Sequence, residues 1–343
     1  MAQSPNRDPA ELTFWERYKR PIFIAALFVV IFISARLTIR PINNIDYGVH
    51  VRALQALRMG QNPYDVGGYF LPPWDGLLLA PLAYEPLETW LSLGVALLVA
   101  ATLDIGSPSG LLLLLHPVFV TLIASSNPEW LFVGSGLWLL YRAPRGWGRG
   151  LAWLLLTGKP QTTAIMLAFD GLDALRQRDW KAIGLSAVVA LGSVALYPQV
   201  FRAFTTAVGS TRTTWSPTVV SNWGILAAIL VTMLIVAIRW HRREDRKTLG
   251  LLLAPVWSPY MVQYNYMATI FTMRRAGWLR NIVYLAASIG LAALFWRDYH
   301  VAEQIGVLGM VLLAAIMAPA QPQAMPEGES SKQMDQPALQ SAA

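Results

Sequence analysis

The stretch 60–83, GQNPYDVGGYFLPPWDGLLLAPLA, combines a turn, a proline pair and an aspartate with the start of an apolar run. Proline has no N–H group and is tolerated best in turns and in the first turn of a helix. We therefore expect a turn at 62–65 and a helix that begins at the proline pair and carries Asp75 in its first turn. An acid inside an otherwise apolar segment is costly to bury, and it is a candidate functional group.

The composition of the chain is typical of a polytopic membrane protein. It has 343 residues, of which 55% are apolar and 14% charged, with a mean hydropathy of +0.42. Soluble domains carry about 25% charged residues, whereas helices that face lipid have no water to solvate charge. The chain has no cysteine, which excludes disulfides and thiolate chemistry. Its four histidines are scattered, so we expect no obligatory metal and no other cofactor.

Apolar segments follow one another along most of the chain, which predicts an all-α bundle of about 10–13 membrane helices. Several segments are half-length or broken by proline and glycine, as in LPPWDG, TGKPQ and WSPY. Such breaks are tolerated at bilayer depth where protein or a wet cavity satisfies the freed backbone groups. Simple proline kinks are the alternative. The segments lie at 22–39, 72–84, 87–103, 109–125, 128–141, 149–158, 160–175, 181–198, 222–239, 248–257, 259–273, 278–296 and 302–319.

Positive charge is concentrated in a few clusters, which predicts the orientation in the membrane. Most of the 27 Lys and Arg residues lie in the N-terminal tail and in YRAPRGWGR, RQRDWK, RWHRREDRK and RRAGWLR. Strict alternation of the later segments places all of these on the cytoplasmic side, as the positive-inside rule requires. We expect a cytoplasmic segment 1–20, a cell-membrane domain 21–319 and a disordered tail 320–343. This distribution also argues against nucleic-acid binding as the reason for the net charge of +7.

The extracytoplasmic face receives the polar loops, so we expect the active site there. This face holds the loops 43–71 and 199–221 and the breaks at 157–161 and 257–266. Four apolar segments lie between the first external loop and the first internal basic cluster, where an odd number of crossings is required. One of the four must therefore be re-entrant, and the short segment 72–84 is the natural candidate.

The first external loop carries an acid followed by an amphipathic pattern. Asp46 directly follows the first span, and apolar residues then recur at helical spacing, at Val49, Ala53, Ala56 and Leu57. The pattern predicts a helix at 48–59 that lies on the membrane surface. Asp46 is either a general base at the interface, where partial burial can raise the pKa of a carboxylate, or the N-cap of this helix.

Several of these blocks resemble those of the GT-C membrane glycosyltransferases, most of all glycosyltransferase family 87. The similar blocks are the Asp after the first span, ALQALRMGQNPYD at 53–65 and YFLPPWDGLLLAPLAYEP at 69–86. TGKPQ resembles the lysine-proline segment of the family, SNWGILAAIL its external segment and WSPYMVQYNY its Ser-Pro segment. The likeness extends over about residues 22–273. Two departures are LPPWD in place of Y-P-P-L, and Gln263-Tyr264-Asn265 in place of a His-Tyr pair.

The resemblance implies an inverting glycosyltransferase with a GT-C-like fold. Its donor would be a polyprenyl-phosphate sugar bearing mannose or another hexose or pentose, and its acceptor a lipid or glycan at the outer face. The acceptor hydroxyl needs a base, for which we predict Asp46, and the leaving lipid phosphate needs cations. The matching segments imply substrate contacts for Gln161, Asn222 and Tyr264.

External cations are few, and the predicted phosphate ligands are Lys159 and Arg212, with Arg202 as a weaker candidate. Lys159 lies in the Gly-Lys-Pro break, and the alternative is that it snorkels to the interface. Arg212 is alternatively a solvated loop residue. Asp75 is a further substrate-binding candidate, unless its carboxylate serves the N-terminal amides of its helix. We interpret Asp65 as the cap of a turn and His116 as a satisfied buried histidine.

Two other functions are compatible with the sequence. A transporter or flippase of a lipid-linked precursor would also use broken helices, around a site at the bilayer midplane. Against it, the chain has no internal repeat and its polar groups gather on one face. A catalytically inactive scaffold is the second alternative, because the His-Tyr pair is missing.

Overall fold

The computed structural model describes residues 14–38, 45–124, 127–128, 130–209, 224–240, 246–258, 266–295 and 301–319. These residues form helices and no strand, which confirms the predicted all-α class. The α-helices of this part of the chain are α1 (Phe14–Thr38), α2 (Ile45–Arg58), α3 (Pro73–Leu79), α4 (Leu87–Ile105), α5 (Pro117–Ala124), α6 (Ser135–Arg142), α7 (Gly146–Leu156), α8 (Pro160–Arg176), α9 (Trp180–Leu196), α10 (Val200–Gly209), α11 (Gly224–Trp240), α12 (Arg246–Trp257), α13 (Met267–Ile270), α14 (Trp278–Phe295) and α15 (Val301–Met317).

Two predicted apolar segments are much shorter as helices than as hydrophobic runs. The segment 72–84 forms α3 and a 3-10 turn, Ala80–Leu82. At 1.5 Å per residue, the 7 residues of α3 extend about 10 Å, against about 30 Å for the hydrocarbon core of a bilayer. The segment 109–125 divides at His116 into a 3-10 helix, Pro108–Leu115, and α5. The segment 72–84 therefore has the length of a re-entrant element, as predicted, whereas 109–125 is divided into two short helices.

The loop 43–71, predicted to be external, contains the predicted helix, but the helix begins earlier and packs differently. Because α2 begins at Ile45, Asp46 lies in its first turn, and the N-cap interpretation of Asp46 is wrong. Ala53 and Leu54 are fully buried, where α2 packs on α3 and on the turn Ala80–Leu82. The interpretation that this apolar face lies on a membrane surface is therefore wrong, since the face covers the protein core.

The segment 199–221, predicted to be a loop, is a helix in its first half. α10 occupies Val200–Gly209, and the spacing of four between Val200, Phe204 and Val208 gives the apolar face that such a helix needs. Residues 210–223 and the predicted tail 320–343 lie outside the described residues.

The core of the bundle is built around α4, α8 and α12. α8 and α12 pack most extensively, and Gly250 lies so close to Met166 that an added Cβ would be 2.6 Å from its backbone nitrogen. α1 packs along α4, while α7 contacts α6 and α9. The turn that joins α7 to α8 lies beside α3 at one end of this bundle.

Several helices carry large apolar side chains on the outer surface. Leu37 in α1, Leu191 in α9 and Leu279 in α14 are 71%, 72% and 75% exposed. Two described helices, Lys19–Thr38 within α1 and Leu87–Ile105, are long and apolar enough to cross a membrane, and four shorter helices are also apolar. This is fewer long spans than predicted, because most of the apolar helices have 17 residues or fewer.

Candidate functional site

A buried carboxyl group, that of Asp75, lies where two helix breaks meet. α3 begins at Pro73, as the proline pair predicted, and Asp75 follows in its first turn. Asp75 is 0% exposed, and neither of its carboxyl oxygens has a hydrogen-bond partner among the described residues. An added Cβ on Gly158 would lie 3.1 Å from the Asp75 Cγ. The carboxyl group therefore packs directly against the backbone of the α7–α8 turn.

The alternative role of Asp75, binding the N-terminal amides of its own helix, is wrong for the described structure. Its carboxyl oxygens accept no hydrogen bond there. The backbone N–H groups of Asp75 and Gly76 donate instead to the carbonyl of Pro72, at 3.1 and 3.4 Å. Pro72 and Pro73 have no N–H to offer, so the proline pair removes donors that a capping carboxylate would use.

The second break, TGKPQ, ends one helix and begins another. α7 ends at Leu156 and α8 begins at Pro160. Thr163 Oγ1 bridges the break by donating to the carbonyl of Leu156 at 2.7 Å. The indole N–H of Trp74 donates to the carbonyl of Leu154 at 3.0 Å, which joins α3 to the end of α7. The alternative of a simple proline kink is wrong here, because the helix is interrupted and the two breaks contact each other.

Ring side chains of the loop 43–71 border Asp75. The Tyr69 hydroxyl lies 2.7 Å from the position of a Cβ added to Gly76, the neighbour of Asp75. The Tyr69 ring has its centroid 5.9 Å from that of His50 and 5.6 Å from that of Tyr64. Like the Asp75 carboxyl, the Tyr69 hydroxyl and His50 Nδ1 are buried without a hydrogen-bond partner among the described residues. Three unsatisfied polar groups are thus gathered beside the α7–α8 turn.

A capped turn holds this loop in place. Asn62 Oδ1 accepts the backbone N–H of Tyr64 at 3.2 Å, and Asn62 Nδ2 donates to Asp65 Oδ1 at 3.0 Å. The Tyr64 hydroxyl donates to the carbonyl of Leu71 at 2.8 Å. The predicted turn is confirmed, but its cap is Asn62 and not Asp65.

Burial sets the charge state of the site, which lies outside both candidate spans. Burial raises the pKa of Asp75 well above the usual range of an aspartate. Burial, with a smaller contribution from the nearby Lys159 ammonium, lowers the pKa of His50 to about 3. Burial also raises the pKa of Tyr69, helped by Tyr64 and Asp75. Burial therefore favours the neutral form of each of the three unsatisfied groups.

The structure brings some of the predicted site residues together. Lys159 and Gln161 are half-buried at the α7–α8 turn and in the first turn of α8, on the side of Asp75. Asp46 lies one helical turn before His50 in α2, so the backbone places the predicted base on the loop that borders the site. Outside the described residues lie Arg212, Asn222 and Tyr264. Their roles stay predictions.

Sequence reasoning missed Tyr69 and His50. Tyr69 stands three residues before the proline pair, in the block that carries most of the family resemblance, and His50 lies four residues after Asp46. Both are polar side chains within an apolar pattern. That signal could have identified them as inward-facing groups.

A second charged cluster lies at the opposite end of α7, and sequence reasoning missed it too. Arg149 Nε and Nη2 each donate to the Asp170 carboxylate at 2.9 Å, and Lys247 Nζ lies 3.0 Å from it. The Trp153 indole donates to the same carboxylate at 2.6 Å. The Asp170 carboxylate is fully paired, so this cluster ties α7, α8 and α12 together. The available signal was an acid within the apolar segment 160–175.

No cluster of three or more His, Asp or Glu side chains that could hold a metal ion occurs within the described part of the chain. His116 is fully buried, its Nδ1 accepts the N–H of Val118 at 3.2 Å, and its ring stacks on Tyr284. The prediction that His116 is buried is confirmed. The prediction that it is satisfied is wrong for Nε2, which has no partner among the described residues.

Comparison of the chain with protein-family models, with curated proteins and with solved structures found no match. The likeness to family 87 therefore stays a resemblance between sequence blocks. The function has to be argued from the site itself.

Proposed function

We propose that the chain is a membrane-embedded glycosyltransferase. It transfers a sugar from polyprenyl phosphate to a lipid or glycan acceptor at the outer face of the membrane. The observation that carries this proposal is the neutral polar site around Asp75, where the first external loop meets the α7–α8 turn. Asp75, Tyr69 and Lys159 of this site belong to 60–83 and TGKPQ, two of the blocks on which the resemblance to polyprenyl-phosphate-dependent enzymes rests.

The outer surface of the bundle supports insertion into a membrane. Soluble monomers rarely expose contiguous apolar patches larger than a few hundred Å². In α11, exposed apolar side chains recur along the helix at Ile225, Leu226, Ile229, Leu230, Met233 and Leu234. Similar exposed residues lie in α9 and α14. Lipid is the solvent that makes such a surface favourable.

The two ends of α7 support the orientation. Arg149 and Lys247, which both pair with the Asp170 carboxylate, lie at one end, next to the basic clusters that the positive-inside rule assigns to the cytoplasm. Asp75 and Lys159 lie at the other end, beside the first external loop. A flipped, lipid-linked donor presents its headgroup at this outer end.

The proposed reaction is a single displacement with inversion. The Asp46 carboxylate takes the proton of the acceptor hydroxyl while that oxygen bonds to the anomeric carbon of the donor sugar. The bond from that carbon to the phosphate oxygen breaks, and its electron pair leaves with polyprenyl phosphate. Lys159, with Arg212 as the second predicted cation, stabilises the negative charge of the leaving phosphate.

Reconstitution of the purified protein with defined lipids tests this function. Proteoliposomes are incubated with polyprenyl phosphate bearing mannose, glucose or arabinose, and with membrane-lipid acceptors. We expect covalent transfer of one of these sugars, or its slow hydrolysis when no acceptor is present. Movement of the intact donor between leaflets would indicate a flippase instead. Neither transfer nor movement for any donor would indicate a scaffold and contradict the proposal.

The orientation has its own test, because the chain has no native cysteine. A membrane-impermeant thiol reagent added outside intact cells should label Gln61→Cys but not Arg243→Cys. Permeabilisation should expose the second cysteine. Labelling of both residues from the same side would contradict the proposed topology.

A further inference from the structure

Three neutral, buried and unsatisfied polar groups line one side of the candidate site. They are the carboxyl of Asp75, the hydroxyl of Tyr69 and Nδ1 of His50. Leaving a buried donor or acceptor without a partner costs about ten- to hundred-fold in an equilibrium constant. Three such groups in adjacent positions indicate that a ligand satisfies them when it binds.

The chemistry of the three groups restricts that ligand. A protonated carboxyl offers one O–H donor and a carbonyl acceptor, a phenol both donates and accepts, and a neutral imidazole nitrogen does one or the other. The oxygens of a phosphodiester only accept, so they would leave the acceptors of Asp75 and Tyr69 unpaired. Sugar hydroxyls both donate and accept, and they can therefore pair with every member of the set.

The surroundings of the three groups suit a sugar ring. The rings of Tyr64 and Tyr69 lie 5.6 Å apart at a tilt of 52°, which offers apolar surface next to the polar groups. The α7–α8 turn with Lys159 borders the same site, and its ammonium is close enough to act on His50. A cation for the phosphate and hydroxyl-binding groups for the sugar are thus adjacent.

We propose that Asp75, Tyr69 and His50 form the subsite that binds the sugar hydroxyls of the donor. Asp75 acts there as a neutral hydrogen-bonding group, and not as a base. This inference rests on the proposed function, because it assumes a lipid-linked sugar as the ligand. It separates the two acids of the site by role: Asp46 takes the proton of the acceptor, whereas Asp75 recognises the sugar.

Comparison of donor binding with bare-lipid binding tests this subsite. The dissociation constants of polyprenyl phosphate mannose, glucose and arabinose, and of bare polyprenyl phosphate, are measured for the purified protein in nanodiscs. In the wild type, the sugar-bearing lipid that binds most tightly should bind at least about ten-fold more tightly than the bare lipid. Asp75→Leu should abolish this difference and leave binding of the bare lipid unchanged.

Two conservative variants guard against the possibility that Asp75→Leu fails to fold. Asp75→Asn retains a neutral donor and acceptor, so it should keep most of the preference for the sugar-bearing lipid. Tyr69→Phe removes one hydroxyl and should reduce the preference several-fold. Asp173→Asn, in α8 but at the end far from the site, is the matched control and should change nothing.

These binding measurements can refute the sugar-binding subsite without refuting sugar transfer, and the reverse. Equal binding of both lipids by the wild type, or an unchanged preference in Asp75→Leu and Tyr69→Phe, would overturn the inference even if sugar transfer is observed. Loss of the preference in Asp75→Asn would show that a carboxylate charge is required, and would overturn the neutral role. A preference that depends on Asp75 in a protein that transfers no sugar would support the subsite and refute the proposed reaction.

Discussion

Gly158 offers a direct test of the contact between the α7–α8 turn and Asp75. A Cβ at this position would overlap the Asp75 carboxyl group and lie 3.1 Å from both Asp75 Cγ and the carbonyl oxygen of Leu155. Asp75 is fully buried and short, so it has little room to move away. Overpacking of this kind typically costs about 1–3 kcal/mol. For a chain of 343 residues, we expect Gly158→Ala to lower the Tm by about 2–4 °C.

The matched control is Gly171, a glycine within α8. A Cβ on Gly171 would meet no atom within 4 Å, so Gly171→Ala should leave the Tm unchanged or raise it through helix propensity. The double variant Gly158→Ala with Asp75→Ala removes the obstructing carboxyl and should recover part of the loss. Thermal unfolding of all variants in the same detergent measures these differences. Equal Tm values for Gly158→Ala and Gly171→Ala would refute the contact.

Three further substitutions test the charges of the structure. Burial raises the pKa of Asp75 in the folded chain, so the contribution of Asp75 to stability should be fully present below about pH 4 and be lost as pH rises from there toward that raised value. Asp75→Asn removes this dependence, so its Tm advantage over the wild type should be larger at pH 8 than at pH 5; an advantage that does not depend on pH would contradict a neutral Asp75. Arg149→Met should lower the free energy of unfolding by about 3–5 kcal/mol, because it removes a bidentate partner of the buried Asp170. The control Arg176→Met, which breaks an exposed ion pair, should lower it by less than about 1 kcal/mol. Lys159→Ala should weaken donor use in the transfer assay, and unchanged donor kinetics would remove Lys159 from the site.

Local chemistry made a large part of the fold predictable. Proline has a strong positional preference, so Pro73 and Pro160 marked the starts of α3 and α8 correctly. The turn at Asn62 was predictable because Asn and Pro both favour turns. The spacing of apolar residues located most of the remaining helices, including α2.

Long-range packing was not predictable in the same way. The contact of Asp75 with Gly158 joins residues that are far apart in the chain, and no local pattern encodes it. The apolar face of α2 has the same sequence pattern whether lipid or protein covers it, and here it covers protein at Ala53. Pairing of Arg149 with Asp170 likewise depends on how α7 and α8 pack. Segment length misled at α3, because hydropathy does not register that the helix ends at Leu79, where the 3-10 turn with Pro81 begins.

The rate of sugar transfer by Asp46→Asn tests the central claim most directly. The substitution keeps the size of the side chain and removes the proposed base. Loss of a general base typically lowers the rate about 100- to 10,000-fold. With the donor and acceptor identified in proteoliposomes, the variant should fold, bind the donor with an unchanged dissociation constant and transfer almost no sugar. Asp65→Asn, in the capped turn of the same loop, should transfer at close to the wild-type rate. Transfer by Asp46→Asn at the wild-type rate would contradict the account.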